Sequence, residues 1–173
     1  MLVLWFVLLG FPLFATEVAD ASQSVSSFKE EAKSTIKTLS LCLIDPLSKN
    51  DIDTIETSVN ETFLEADKKG KPIHFGIGVL DRNGMAVAGG YIVGAFKGED
   101  FSKYEFVRKA FKRKKIIQNR VYFQDRSELL IICAPLVRQK KIIGAIVLGF
   151  NPTQVKEDYG LSTEQFLALD FNK

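Results

Sequence analysis

Arg120 and Tyr122 stand two residues apart, with Asp125 and Arg126 just beyond them, and these are the side chains best suited to reading a small ligand. On a strand, positions i and i+2 share a face. A guanidinium there grips a carboxylate through two parallel hydrogen bonds, while a tyrosine supplies an aromatic wall and a hydroxyl. The alternative is a solvated Arg120 with residues 125–127 forming a hairpin turn. Tyr91, Phe96 and Tyr104 are candidates for further pocket walls, and core packing would account for them equally well.

Catalysis needs a nucleophile beside a base, paired carboxylates or metal-ligand spacing. None of these is present. His74 is the single histidine and falls near the start of a strand pattern, which points to a structural role. There is no Cys-x-x-Cys or His-x-x-x-His, so zinc and covalently attached haem lack their usual ligands. The glycine-rich run from Gly89 through Gly98 is followed by no Lys-Ser or Lys-Thr pair, so it is not a phosphate-cradling loop. The chain is therefore expected to be non-catalytic and free of cofactors and metals. Its formal net charge of +2 is interspersed along the chain, which argues against nucleic acid as a partner.

These side chains need a scaffold, and the hydrophobic pattern supplies one. Val25, Phe28, Ala32, Ile36, Leu39 and Leu43 recur at helical spacing, which predicts an amphipathic helix ending at Asp45, before Pro46. A second helix opens after Ser48 or Asn50, shows Ile52, Ile55, Val59, Phe63 and Ala66 on one face, and stops at Gly70. From Ile73 the period becomes 2, with Ile73, Phe75, Ile77 and Val79 alternating against His74, Gly76 and Gly78. Asp81-Arg82-Asn83-Gly84 carries turn chemistry, and a second strand runs from Met85 to Ala88. Residues 91–100 read as an irregular loop. Ser102-Lys103-Tyr104-Glu105 matches a capping box, opening a third helix that carries Phe106, Val107, Ala110 and Phe111 and ends in Lys112-Arg113-Lys114-Lys115. Strands follow over 117–124, 128–137 and 142–150, the last two so continuously apolar that both faces of their sheet should be covered. Short helices over 153–159 and 163–169 close the chain.

The first fifteen residues carry no charged side chain and are almost wholly apolar. As a helix they would span about 22 Å, short of the roughly 30 Å hydrocarbon core of a bilayer. Residues 1–21 fit a secretory signal, with Ala19-Asp20-Ala21 at its end, although no Lys or Arg occurs before Lys29. A longer N-terminal membrane anchor is the alternative. Cleavage after Ala21 would remove Glu17, Asp20 and the only tryptophan, Trp5. Residues 22–173 then form one domain, periplasmic or secreted. Cys42 and Cys133 each sit in an apolar run and read as two buried thiols, although export would also permit one disulfide.

The order of elements gives an α+β fold: a five-stranded antiparallel sheet, long N-terminal helices on one face, and a loop and helix on the other. The sequence resembles the single Cache domain family, extracytoplasmic relatives of PAS sensor domains, over residues 22–155. The residues that carry the resemblance are Gly78-Val79-Leu80-Asp81-Arg82-Asn83-Gly84, Arg120-Val121-Tyr122-Phe123, and Cys133-Ala134-Pro135-Leu136-Val137 with Ile143-Gly144-Ala145-Ile146-Val147-Leu148-Gly149-Phe150. The resemblance implies a pocket for a small polar or carboxylated metabolite, walled by residues 91–111 and facing the strand at 118–124. It also implies signal transduction through a membrane-bound partner. The rival reading is a protein-interaction or dimerisation module on a PAS- or profilin-like scaffold, with the first helix pairing with a second copy.

Overall fold

The computed structural model describes residues 13–70, 73, 75–90, 97–122 and 127–173, with side chains described from Ser24 onward. Helix α1 (Leu13–Lys49) turns Phe28, Ala32, Ile36, Leu39 and Leu43 inward, the spacing expected of it. It does not stop at Asp45. Pro46 lacks an N–H and removes one helical hydrogen bond, yet the helix runs on for a final turn that carries Leu47 onto the core. The turn closes with the N–H of Asp51 donating to the carbonyl of Pro46 at 2.9 Å, and with Asn50 at φ 55°.

Helix α2 (Ile52–Lys68) starts one residue later than its sequence signal, because Asp51 is the cap: its carboxylate accepts from the Thr54 N–H at 3.2 Å and hydroxyl at 2.8 Å. Gly70 sits at φ 65° just past the end, the left-handed position that glycine takes without strain. Strands β1 (Gly76–Asp81), β2 (Ala86–Gly90), β3 (Ile117–Tyr122), β4 (Glu128–Arg138) and β5 (Lys141–Phe150) form one antiparallel sheet in the order β2-β1-β5-β4-β3. In the β1–β2 turn the Asp81 carboxylate accepts from the N–H groups of Asn83 and Met85, each at 2.8 Å. Residues 97–101 return along the free edge of β2, with Gly98 donating to the Ala86 carbonyl and Ala86 to that of Glu99.

Helix α3 (Glu105–Arg113) is not opened by the expected capping box. Its cap position is Tyr104, which makes no side-chain capping bond, and Ser102 is held two residues earlier by its N–H donating to the Asp100 carboxylate at 2.8 Å. The box needs serine at the cap itself. Arg108 ties the segment before the helix to its first turn by donating to the carbonyls of Ser102 and Lys103. A true capping box occurs instead at Ser162 and Gln165, opening α5 (Thr163–Ala168) after α4 (Pro152–Tyr159).

The sheet is covered on both sides, so two apolar layers flank it. Phe28, Leu39, Leu43, Ile55 and Val59 of α1 and α2 pack with Ile77, Val79, Leu130, Ile132, Ile146 and Leu148 on one face, where Phe166 and Phe171 join them. On the other face Phe106, Val107 and Ala110 of α3 pack with Leu80, Leu129, Ile131, Cys133, Ala145 and Val147. Cys133 is buried as expected, and burial pushes its thiol up to about 12. Cys42 is not buried: Leu39 and Leu43 hold the inner face of α1, which turns position 42 to solvent. Both thiols are free. Among the described residues no helix is long and apolar enough to cross a membrane.

Candidate functional site

Which residues meet at a site is decided by strand phase. In β3, Arg120 pairs with Leu130 and Tyr122 with Glu128, whereas Asn119 pairs with Ile131 and Val121 with Leu129. Directly opposed residues of an antiparallel pair project to the same side. Leu130 belongs to the α1-side core and Leu129 and Ile131 to the α3-side core. Arg120 and Tyr122 therefore point away from α3, and Ile117, Asn119 and Val121 point toward it. In that phase Arg120 and Tyr122 do not face α3, within the described part of the expected wall.

What Arg120 does on its own face is visible. Its guanidinium lies 5.3 Å from the centre of the Tyr122 ring and its Nε 3.9 Å from Glu128 Oε1. That carboxylate oxygen is buried and accepts no hydrogen bond. The Glu164 carboxyl at the start of α5 is held below the usual carboxylate range by hydrogen bonds from its own N–H and from Ser162, with Arg120 adding a weaker attraction. Gln118, on the same face, donates to the carbonyls of Leu167 and Leu169. This cluster fastens the edge strand to the C-terminal helix. Tyr91, Phe96, Asp125, Arg126 and His74 lie outside the described residues.

Tyr104 is on the α3 side. It is half-buried, stacks on Phe106 at 5.7 Å between ring centres and meets Phe101 at 5.4 Å. Lys103 places its ammonium 5.4 Å from the centre of the same ring. Tyr104 and Arg120 are thus on opposite sides of the sheet.

Pairing brings four glycines to the α3-side face. Gly78 lies opposite Gly89 and also opposite Val147; Gly76 lies opposite Gly149, which is opposite Ile131, which is opposite Asn119. One row across four strands therefore reads Gly76, Gly149, Ile131, Asn119, with Gly78 and Gly89 alongside. The row carries no side chain at Gly76 and Gly149, an aliphatic side chain at Ile131, and a half-buried carboxamide at Asn119. An amide of this kind both donates and accepts. Sequence reasoning singled out neither Asn119 nor this row. The signal was present, since Ile117 and Val121 bracket Asn119 at period 2.

No family model matches the chain, and no curated protein matches it in sequence. Solved structures do. The extracellular domain of the presumed histidine kinase vpHK1S-Z8 superposes with TM-score 0.66 at 16% identity, covering 87% of this chain and 60% of that one. The sensor domain of the Vibrio cholerae histidine kinase DctB gives 0.63 at 13%, covering 85% and 58%. The ligand-binding domain of the Campylobacter jejuni chemoreceptor Tlp3, crystallised with 4-methylisoleucine, gives 0.60 at 11%, covering 79% and 56%. The chain thus has the Cache-like fold of extracellular sensor domains and spans about three fifths of these structures.

Proposed function

We propose that this protein is an exported, non-catalytic sensor domain that binds a small amino acid or related carboxylated metabolite on the α3-side face of its sheet and reports to a membrane-bound signalling partner. The observation that carries this reading is the shared fold with sensor domains, among them Tlp3 crystallised with isoleucine and with L-valine. The glycine row supports it. Gly76, Gly78, Gly89 and Gly149 bring no side chains to the face that carries Ile131 and Val121, and Asn119 on the same face is a hydrogen-bonding group suited to a ligand's polar head. Arg120 and Tyr122 do not belong to this site.

A thermal-shift screen of the purified protein against aliphatic amino acids and small organic acids tests the reading. Saturation at 100 times the dissociation constant stabilises by about 2.7 kcal/mol, which for a domain of this size is a rise of roughly 5–10 °C. Native mass spectrometry of protein purified without refolding reads the same property from a co-purified ligand. If neither method finds a bound small molecule, the sensor reading fails and the interaction module gains its weight.

A further inference from the structure

A cleft of about 470 Å³ opens at the end of the sheet where α1 finishes, on the side away from α3. Three elements line it: Leu47, Lys49 and Asn50 at the end of α1, Arg82 and Asn83 in the β1–β2 turn, and Lys141, Ile142 and Ile143 entering β5. Lys49, Arg82 and Lys141 are exposed, and among the described residues none of them has a salt-bridge or side-chain hydrogen-bond partner.

The carboxylates on the same elements already have partners of their own. Asp45 takes Arg138 at 2.7 Å, and Arg138 also reaches Ser48 at 3.2 Å. Asp51 caps α2 through Thr54, with Lys49 adding only a lesser attraction. Asp81, which lines the cleft, accepts from the N–H groups of Asn83 and Met85 and from the Asn83 amide. Lys114, at the end of α3, donates its ammonium to the Lys140 carbonyl at 2.5 Å and does not line the cleft. Lys49, Arg82 and Lys141 bring three positive charges to a cleft that holds one carboxylate, Asp81, and an anion bound among them offsets the excess. A guanidinium fork with two ammonium groups suits a ligand bearing several anionic oxygens.

We infer that this cleft is a second binding site, for a metabolite-sized anion carrying two or more negative charges, phosphorylated or polycarboxylate. Its volume lies in the range of small-molecule sites, and Leu47, Ile142 and Ile143 give it an apolar back. It is separate from the proposed amino-acid site, which lies on the opposite face.

The test is calorimetric titration of the full chain with pyrophosphate and with citrate at constant ionic strength. Saturable one-to-one binding is expected for at least one of the two. The triple variant Lys49→Gln, Arg82→Gln, Lys141→Gln should weaken it by about a hundredfold or more, since each lost charge-assisted contact is worth about tenfold. A control triple, Lys112→Gln, Arg113→Gln, Lys115→Gln, removes the same charge at the end of α3 and should stay within about threefold, as a purely screened, long-range effect would. All six side chains are exposed, so both variants should fold, and circular dichroism melts verify this. No saturable binding of either anion by the parent protein overturns the inference. So does equal weakening in both triples, which would mark a diffuse positive field in place of a site.

Discussion

Asn119 and Arg120 are adjacent in sequence and opposite in space, which makes a paired substitution the sharpest probe of the proposed site. Asn119→Leu keeps the branched arrangement of four side-chain heavy atoms and removes a carboxamide that is half-buried on the α3 side. A hydrogen bond to a charged ligand group contributes about 1.5–3 kcal/mol, so the dissociation constant should rise about 10- to 150-fold. Arg120→Leu breaks a 3.9 Å contact with Glu128 and a 5.3 Å approach to the Tyr122 ring, with Arg120 itself 38% exposed. A partly exposed pair of that length is worth about 1 kcal/mol or less. Its loss should lower the melting temperature by a few degrees and leave affinity within about twofold, because nothing on the ligand side of the sheet has changed. The assay is calorimetric titration of both variants with the amino acid that gives the largest thermal shift, alongside melts without ligand. If Arg120→Leu abolishes binding while Asn119→Leu does not, the assignment of faces from strand register is refuted.

Gly144→Ala would place a Cβ 2.3 Å from the Leu80 carbonyl oxygen and 3.1 Å from Leu47 Cδ1, whereas Gly160→Ala meets nothing within 4 Å and bears only the strain of φ 63°. The first should cost about 3 kcal/mol or more and the second about 1, so thermal melts should separate them by roughly 5 °C or more. Iodoacetamide at pH 8 should modify exposed Cys42 and spare Cys133, whose thiol stays protonated until about 12 and is shielded by α3 and the sheet; rapid double labelling of native protein would contradict the packing. Asp51 and Asp100 are held below the ordinary carboxylate range by hydrogen bonds from Thr54 and Ser102 respectively. A depressed folded value contributes stability that is present above the unfolded value and is lost as pH falls through the folded one. Acid melts should therefore show a smaller loss of stability in the Asp51→Asn, Asp100→Asn double variant than in the parent, and parallel curves would exclude these two groups as acid-sensitive contacts.

Much of the scaffold is legible in the sequence because burial follows period. The inward face of α1 is the helical repeat Phe28, Ala32, Ile36, Leu39, Leu43, and the near-continuous apolar runs of β4 and β5 foretell a sheet covered on both sides. Turn chemistry is local and reads equally well at Asp81 to Gly84, where Gly84 takes φ 87° and has Ser102 against it. The departures lie where a long-range contact overrides a local signal. Pro46 argues for an ending, but Leu47 has a place on the core beside Gly144 and the helix continues to reach it. Ser102 has the spacing of a cap, but Asp100 captures its N–H and the helix starts later. Cys42 sits among leucines, yet in a helix its neighbours in sequence are on other faces.

The candidate site was the least legible part for a related reason. Local pattern identifies a strand's two faces without saying which face meets which layer. In β3 one face carries Arg120 and Tyr122 and the other Ile117, Asn119 and Val121. Chemical richness drew attention to the first face, while the hydrophobic pattern indicated the second, since Ile117 and Val121 are the residues that must be buried under α3. The charged pair is what an edge strand can spare for fastening α5, because a guanidinium keeps its solvation there and a buried site would strip it. A glycine row has even less signature, since Gly76, Gly78, Gly89 and Gly149 come from three strands and become neighbours only through pairing. In the site proposed here the residues that shape the face are therefore those with the least side chain, and register, not local chemistry, brings them together.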